Sequence, residues 1–416
     1  MANVHKGLNG ILQKYPGDVV ILSALRTPIT RAYKGGLCNA YPEQMLAAVL
    51  KATLTANPNL PPHQIQEISV GTVLSELGGS KAGRMAACHV GYPETTSLHT
   101  VNRACASSLQ AITAVADAIT TNRIDCGIGA GMESMTRNYE SKAIPVELWP
   151  KLRESPSKDA RDCIMAMGTT SENIAKRYGV TREDQDKFAV SSHRKASEAQ
   201  KKGLFDDEIV PMEMNKLAIN EPQEGHLFTF QRDIITKDDG IRHSANMRSM
   251  AMLKPAFEAT GTSTAGNSSQ ISDGAAAVLM MRRSTANELG LSSAIMGKWV
   301  SSQFAGVAPD EMGIGPAVAI PRLLAATGIR TEDVGIWEIN EAFASQALYC
   351  IRLLGLDMAK VNPKGGGIAL GHPLGATGAR QVSTLLPEMK RQQQQVGVVS
   401  MCVGTGMGMA SLFIRE

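Results

Sequence analysis

The chain has 416 residues, a formal net charge of +3 and 43% hydrophobic residues. That length points to two or three domains with sizeable cores, and the slight positive balance argues against nucleic acid as a partner. No apolar run is long enough to span a membrane. Aromatics are scarce at 4%, whereas Gly (39) and Met (21) are plentiful, so the cores should be aliphatic with close backbone approach. The cysteines, at 38, 88, 105, 126, 163, 350 and 402, show no zinc-type spacing, and a scattered set of this kind belongs to a reducing compartment.

In chain order, Met1–Gly17 carries no signal-like or transit-like pattern. Val19–Ala24 reads as a buried strand, and Pro42 to about Leu54 as a helix with Met45, Leu46, Val49 and Leu50 on one face. Ile65–Val73 is a second strand, Ser75–Gly83 a polar loop, and Met85–Val90 a short helix. The run Val101-Asn102-Arg103-Ala104-Cys105 then leads into Leu109, Ile112, Val115, Ala116 and Ile119, apolar at helical spacing and without charge until Asp117. A helix so neutral on all faces is buried. Cys105 falls at or near its start, where backbone N–H groups and the helix dipole favour a thiolate. Buried free cysteines are also mostly inert small hydrophobes, so this stretch alone leaves nucleophile and core thiol both open. Cys126–Met132 is a Gly-rich strand exit, and strands alternating with helices predict a mainly parallel α/β sheet.

From about Thr136 the composition turns polar, with helices predicted over Gly168–Tyr178 and Arg182–Lys202. Their charge runs read as solvated faces, and His193, His226 and His243 as surface or loop histidines. The sheet pattern resumes at Ala275–Met280. Val101-Asn102 is echoed by Val361-Asn362, and Gly129-Ala130-Gly131-Met132 by Gly404-Thr405-Gly406-Met407, which predicts a duplicated α/β unit. The expected organisation is an N-terminal half over 1–135, completed by about 266–290, an inserted domain over 136–265, and a C-terminal half over 291–416.

The second half holds the polar residues. The strand Ile336–Ile339 ends in Asn340-Glu341-Ala342-Phe343, where open α/β sheets place their sites. Six glycines between Gly365 and Gly378 surround His372, implying tight turns and close ligand approach. The run lacks the Gly-Lys-Ser/Thr of a phosphate loop, and His372-Pro373 interrupts a dinucleotide fingerprint. Val398–Gly406 brings Cys402 to a strand end. Two cysteines, a histidine and an asparagine at the strand ends of two similar halves suit acyl transfer through a thioester.

Four segments together resemble the thiolase family over roughly Val19 to Glu416: Val101–Cys105, Asn340–Phe343, Gly371-His372-Pro373-Leu374-Gly375 and Cys402-Val403-Gly404-Thr405-Gly406. Longer runs such as Thr264–Gln270 and Met312–Ala317 are similar to its peroxisomal-type 3-ketoacyl-CoA members. The resemblance implies a five-layer αβαβα sandwich of two similar α/β halves, with the inserted loop domain covering coenzyme A. It implies an acetyl-CoA C-acyltransferase that cleaves 3-ketoacyl-CoA with coenzyme A as co-substrate, as a homodimer, without a permanently bound cofactor or metal. The alternatives are an acetoacetyl-CoA thiolase running Claisen condensation and a non-catalytic acyl-CoA-binding member.

By the same resemblance Cys105 is the acylated nucleophile, and His372 takes its proton and donates to the thioester oxygen. Asn340 holds a water of that oxyanion hole, and Cys402 is the acid/base. The backbone N–H groups of Cys105 and Gly404 form a second oxyanion hole. Arg242 and Ser249 match positions near the adenosine end of coenzyme A, and Ser269 and Met312 positions along the pantetheine. Ala166-Met167-Gly168 stands where biosynthetic members carry a histidine before Met-Gly, which points away from an acetoacetyl-CoA specialist. Met165 and Met167 suit either an adaptable acyl site or the filling of the loop domain's core. Peroxisomal residence is expected from the body of the chain, with cytoplasm as the alternative, because Met1–Gly17 lacks the family's targeting nonapeptide and Ile414–Glu416 is not a Ser-Lys-Leu signal.

Overall fold

A computed structural model of the chain describes residues 6–145, 147–217 and 230–416. Its strands in chain order are β1 (Val19–Arg26), β2 (Thr30–Arg31), β3 (Glu67–Gly71), β4 (Ser97–Val101), β5 (Cys126–Ser134), β6 (Met212–Leu217), β7 (Phe230–Ile235), β8 (Ser272–Arg282), β9 (Gly297–Gly306), β10 (Ile336–Ile339), β11 (Val396–Val403) and β12 (Met407–Arg415). All but β6 and β7 join one sheet, in the order β10-β11-β12-β9-β1-β8-β5-β3-β4, with β2 on β8.

The sheet is not mainly parallel. Only β3–β4, β3–β5 and β10–β11 run parallel; β5–β8, β1–β8, β1–β9, β9–β12 and β11–β12 are antiparallel. Two causes account for the difference. The Gly404-Thr405-Gly406 turn, with φ of 72° at Thr405 and 92° at Gly406, folds β12 straight back on β11 as a hairpin. In the first half, β8 returns from beyond the polar insertion and lies antiparallel beside β5.

The two halves repeat one plan. A parallel pair, β3–β5 or β10–β11, is followed toward the junction of the halves by two antiparallel strands, β8 and β1 or β12 and β9. Even the echo at Val361 has a structural counterpart: it bridges Trp337 of β10 in parallel, as β4 ending at Val101 lies parallel to β3. The halves join where Val19–Ile21 of β1 pairs with Gly297–Trp299 of β9.

Three apolar cores separate five layers. One packs the helices Pro42–Ala56 and Ser80–His89 on the outer face of the first half's strands, through Met45, Leu46, Val49, Ala86, Ile128 and Leu279. Another packs Gly315–Thr327 and Ala344–Leu353 on the outer face of the second, through Ile320, Leu323, Ala347, Val398 and Leu412. Between the two halves of the sheet lie the helices Ser107–Thr120 and Thr377–Arg391, joined by Leu109, Ile112, Val115, Val382, Leu385 and Met401. Their first turns touch: the Ala379 N–H donates to Ser108 Oγ at 2.9 Å, and a Cβ on Gly378 would lie 2.6 Å from the Leu109 nitrogen. This crossing brings the start of one central helix against the start of the other.

Candidate active site

Cys105 stands just before the first central helix, in a turn built by its neighbours. Asn102 Oδ1 accepts the Ala104 N–H at 2.9 Å, Ser107 Oγ accepts the Arg103 N–H at 3.0 Å, and Ala104 takes a φ of 41°, in the left-handed region. A non-glycine residue there signals strain held by its surroundings. The Cys105 Sγ is faced by the backbone N–H of Gly404 and by its own N–H. Gly404 lies close by: a Cβ on it would sit 3.7 Å from Ala104 Cβ and 3.9 Å from Met167 Sδ, which is ordinary contact.

The helix start does not make this thiol acidic. The helix begins at Ser107, so Cys105 lies two residues ahead of it, and burial pushes the thiol up to about 11. Desolvation outweighs the two N–H donors, and the Glu133 carboxylate adds to the rise. The Cys402 thiol, wholly buried against Met312, Ala342 and Phe343 with Met167 alongside, is also held well above its ordinary value by burial, then by the neighbouring Cys105 and Cys350.

His372 comes from the Gly-rich loop and is 5% exposed. Its Nδ1 lies 2.7 Å from Thr377 Oγ1, and Asn340 Nδ2 is 3.3 Å from its Nε2 and 3.5 Å from its Nδ1. Burial, with Arg380 as the second cause, pushes the imidazole down to about 3, so it is neutral at physiological pH. Asn340 stands at the end of β10, its N–H bonded to the Ser400 carbonyl at 2.9 Å, and its Oδ1 is buried without a protein partner. The site thus pairs a neutral thiol with a neutral imidazole, and backbone donors point at the thiol.

The expected coenzyme A residues spread further. Met312 is buried against Cys402, and the Ser269 N–H donates to the Ala342 carbonyl at 2.9 Å, so both belong to the same surroundings as Asn340. Arg242 is exposed, with one guanidinium nitrogen 3.4 Å from the Ala265 carbonyl. The Ser249 hydroxyl is used locally, donating to the Asn246 carbonyl at 2.8 Å. Among the described residues neither side chain bonds to a cysteine.

His193 is not a surface histidine. It is 1% exposed, its Nδ1 accepts the Arg242 N–H at 3.1 Å, and burial pushes it down to about 4. His243 is exposed and lies 2.8 Å from Ser197 Oγ, and His226 lies outside the described residues. Sequence reasoning missed Glu133, Phe343 as a wall of the Cys402 pocket, and Thr377 as the partner of His372. The last had a signal, a hydroxyl five residues beyond the histidine at a helix start. Among the described residues no group of three or more His, Cys, Asp and Glu side chains is placed to hold a metal, and no helix is long and apolar enough to cross a membrane.

Two family descriptions match the chain: "Thiolase, N-terminal domain" over residues 19–284 and "Thiolase, C-terminal domain" over 293–415. The peroxisomal 3-ketoacyl-CoA thiolase B of Mus musculus is 49% identical over 405 residues, covering 97% of this chain and 92% of that one. The crystal structure of the dimeric peroxisomal thiolase of Saccharomyces cerevisiae superposes with a TM-score of 0.88 at 42% identity, covering 98% of this chain and 100% of that one. The acetyl-CoA acetyltransferase of Bacillus anthracis superposes with a TM-score of 0.84 at 34% identity, covering 96% and 99%.

Proposed function

The chain belongs to the thiolase family, and on that premise we propose that it cleaves 3-ketoacyl-CoA with coenzyme A, giving acetyl-CoA and a shortened acyl-CoA through an acyl-enzyme on Cys105. The observation that carries this reading is the crossing of the two central helices, where Ala379 bonds Ser108: Cys105, with two backbone N–H groups facing its sulfur, precedes one helix, and Thr377 at the start of the other holds His372 beside Asn340.

Neutral His372 takes the Cys105 proton as the sulfur attacks the 3-keto carbon. The bond between the second and third carbons then breaks, and its electron pair passes to the acetyl-CoA carbon, which takes a proton from Cys402. In the second half-reaction the Cys402 thiolate takes the proton of the incoming coenzyme A thiol. The resulting coenzyme A thiolate attacks the Cys105 thioester, and Cys105 leaves as thiolate to recover its proton from His372. The high proton affinity of Cys402 suits an acid that must protonate carbon and then be regenerated. The N–H groups of Cys105 and Gly404 support the oxyanion of the acyl-cysteine step. The buried, unpartnered Asn340 Oδ1 suits a residue that holds a water beside His372. Met312 and Ser269, beside Asn340 and Cys402, are assigned to the pantetheine, and exposed Arg242 and half-buried Ser249 to the adenosine end.

Peroxisomal β-oxidation and a homodimer belong to the same reading, which the mouse and yeast relatives support. The higher identity to the 3-ketoacyl-CoA thiolase than to the acetyl-CoA acetyltransferase favours the degradative over the biosynthetic alternative. Coenzyme A enters as co-substrate, and no permanent cofactor is assigned. Thiolysis measured on 3-keto substrates from four to sixteen carbons at fixed coenzyme A tests the reading. A rate that holds or rises beyond six carbons is expected, each buried methylene adding at most about 0.8 kcal/mol. Activity confined to the four-carbon substrate would replace it with the acetoacetyl-CoA alternative.

A further inference from the structure

Glu133 is a fully buried carboxylate on β5, and among the described residues none of its hydrogen-bond partners is a cation. Its partners are backbone N–H groups from two distant segments. Oε2 accepts from Val73 at 2.9 Å and from Gly375 at 2.9 Å, and Oε1 accepts from Leu74 at 3.0 Å and lies 3.5 Å from Thr72 Oγ1. Val73 and Leu74 follow β3 in the first half; Gly375 belongs to the His372 loop of the second. Three backbone N–H donors favour the anion, but burial outweighs them and pushes the group up to about 7, so the carboxylate form prevails only above that pH.

The strand pattern places this carboxylate beneath Cys105. Alternate residues of a strand share a face. Gly127, Gly129 and Gly131 press in turn on the first central helix: an added Cβ would meet Val115 Cγ1 at 2.8 Å, Ile112 Cα at 2.5 Å and Ser108 Cβ at 2.6 Å. Glu133 is the next step of that ladder, at the level of the turn before the helix. The Gly131 position would also meet the Gly375 carbonyl at 2.6 Å, so the His372 loop crosses at the same point.

We propose that Glu133 is a positioning residue for acyl transfer, the buried strut that fixes the His372 loop over the Cys105 turn. The inference rests on Cys105 being the acylated residue. A second consequence follows from its charge: an anion beneath the sulfur opposes a free thiolate, so the proton leaves Cys105 only to His372 during attack. Besides His372, its proton acceptor in this reading, the titratable groups coupled to Cys105 are Glu133 on β5, Cys402 on β11 and Tyr139 in the helix Met135–Lys142. Of these, Glu133 is the one that carries a negative charge at pH 8.

The test compares Glu133→Gln and Gly375→Ala with wild type. Thiolysis kcat, thermal melting, and iodoacetamide alkylation of Cys105 (read by peptide mass) are followed in each. Glu133→Gln turns an amide N–H₂ toward N–H donors and removes the charge. Its kcat is expected to fall about ten- to hundredfold, while Cys105 alkylates several-fold faster at pH 8. Gly375→Ala keeps the charge but sets a Cβ 2.8 Å from Glu133 Oε2 and 2.7 Å from Thr72 Cα, so kcat should fall with alkylation unchanged. A Glu133→Gln kcat within twofold of wild type overturns the proposal, as does a loss matched by the unfolded fraction with alkylation unchanged. If Glu133→Gln does not fold, Gly375→Ala decides, and a kcat within twofold overturns the strut. An acyl adduct absent from Cys105 in the wild-type protein instead overturns the underlying assignment of the nucleophile.

Discussion

Cys105 and His372 are each held in the uncharged form, and this separates the site from one that keeps a resting thiolate–imidazolium pair. With the thiol pushed up to about 11 and the imidazole down to about 3, the reactive thiolate fraction rises about tenfold per pH unit throughout the neutral range. Iodoacetamide alkylation of Cys105 should therefore climb steadily from pH 6 to pH 10. A plateau reached below pH 7 would show a resting ion pair and contradict the account. The residues themselves were legible in the sequence, because Cys105, Asn340, His372 and Cys402 each sit in a short motif at a strand or helix end. Their electrostatics were not. Met312 and Phe343 bury Cys402, and the charge of Arg380 acts on His372, and no local spacing ties these residues to the groups they act on.

At the scale of elements, the helix Ser107–Thr120 reaches the sheet only because β5 offers glycine at every step facing it. A Cβ at Gly129 would stand 2.5 Å from Ile112 Cα, a contact with backbone that no rotamer relieves. Gly129→Ala should lower stability by about 1–3 kcal/mol, the usual range for overpacking, seen as a lower urea midpoint with unchanged slope. A midpoint equal to wild type would show that helix and strand separate freely. The long helices were legible: the polar run predicted to Lys202 is a helix over Arg182–Lys201, because its caps and periodicity are local. Strand direction was not, since alternating strand and helix patterns fit β12 folding back on β11 as well as a parallel crossover. The Gly404-Thr405-Gly406 turn carried that information.

At the scale of the molecule, a buried charge network ties the parts together. Arg26 of β1 bonds Glu208 at 2.8 Å and Asp238 at 2.7 and 2.9 Å, both within the inserted segment, and Lys364 of the second half bonds Glu208 at 2.7 Å. Removing one member would strand its partners without solvent, so insertion and halves are held in one arrangement. The duplication was legible from two short echoes; this network was not, because its members lie far apart in the chain. On the proposed reading, acylation draws on the same arrangement, with Cys105 from the first half and His372 from the second. The most direct test mixes the protein with a 3-ketoacyl-CoA in the absence of added coenzyme A, quenches in acid and maps the acyl group by peptide mass spectrometry. One acyl group on the peptide bearing Cys105, absent in Cys105→Ser and in full occupancy in Cys402→Ala challenged with an activated thioester, is the predicted result. An adduct on Cys402, or full thiolysis by the Cys105→Ser protein, would contradict it.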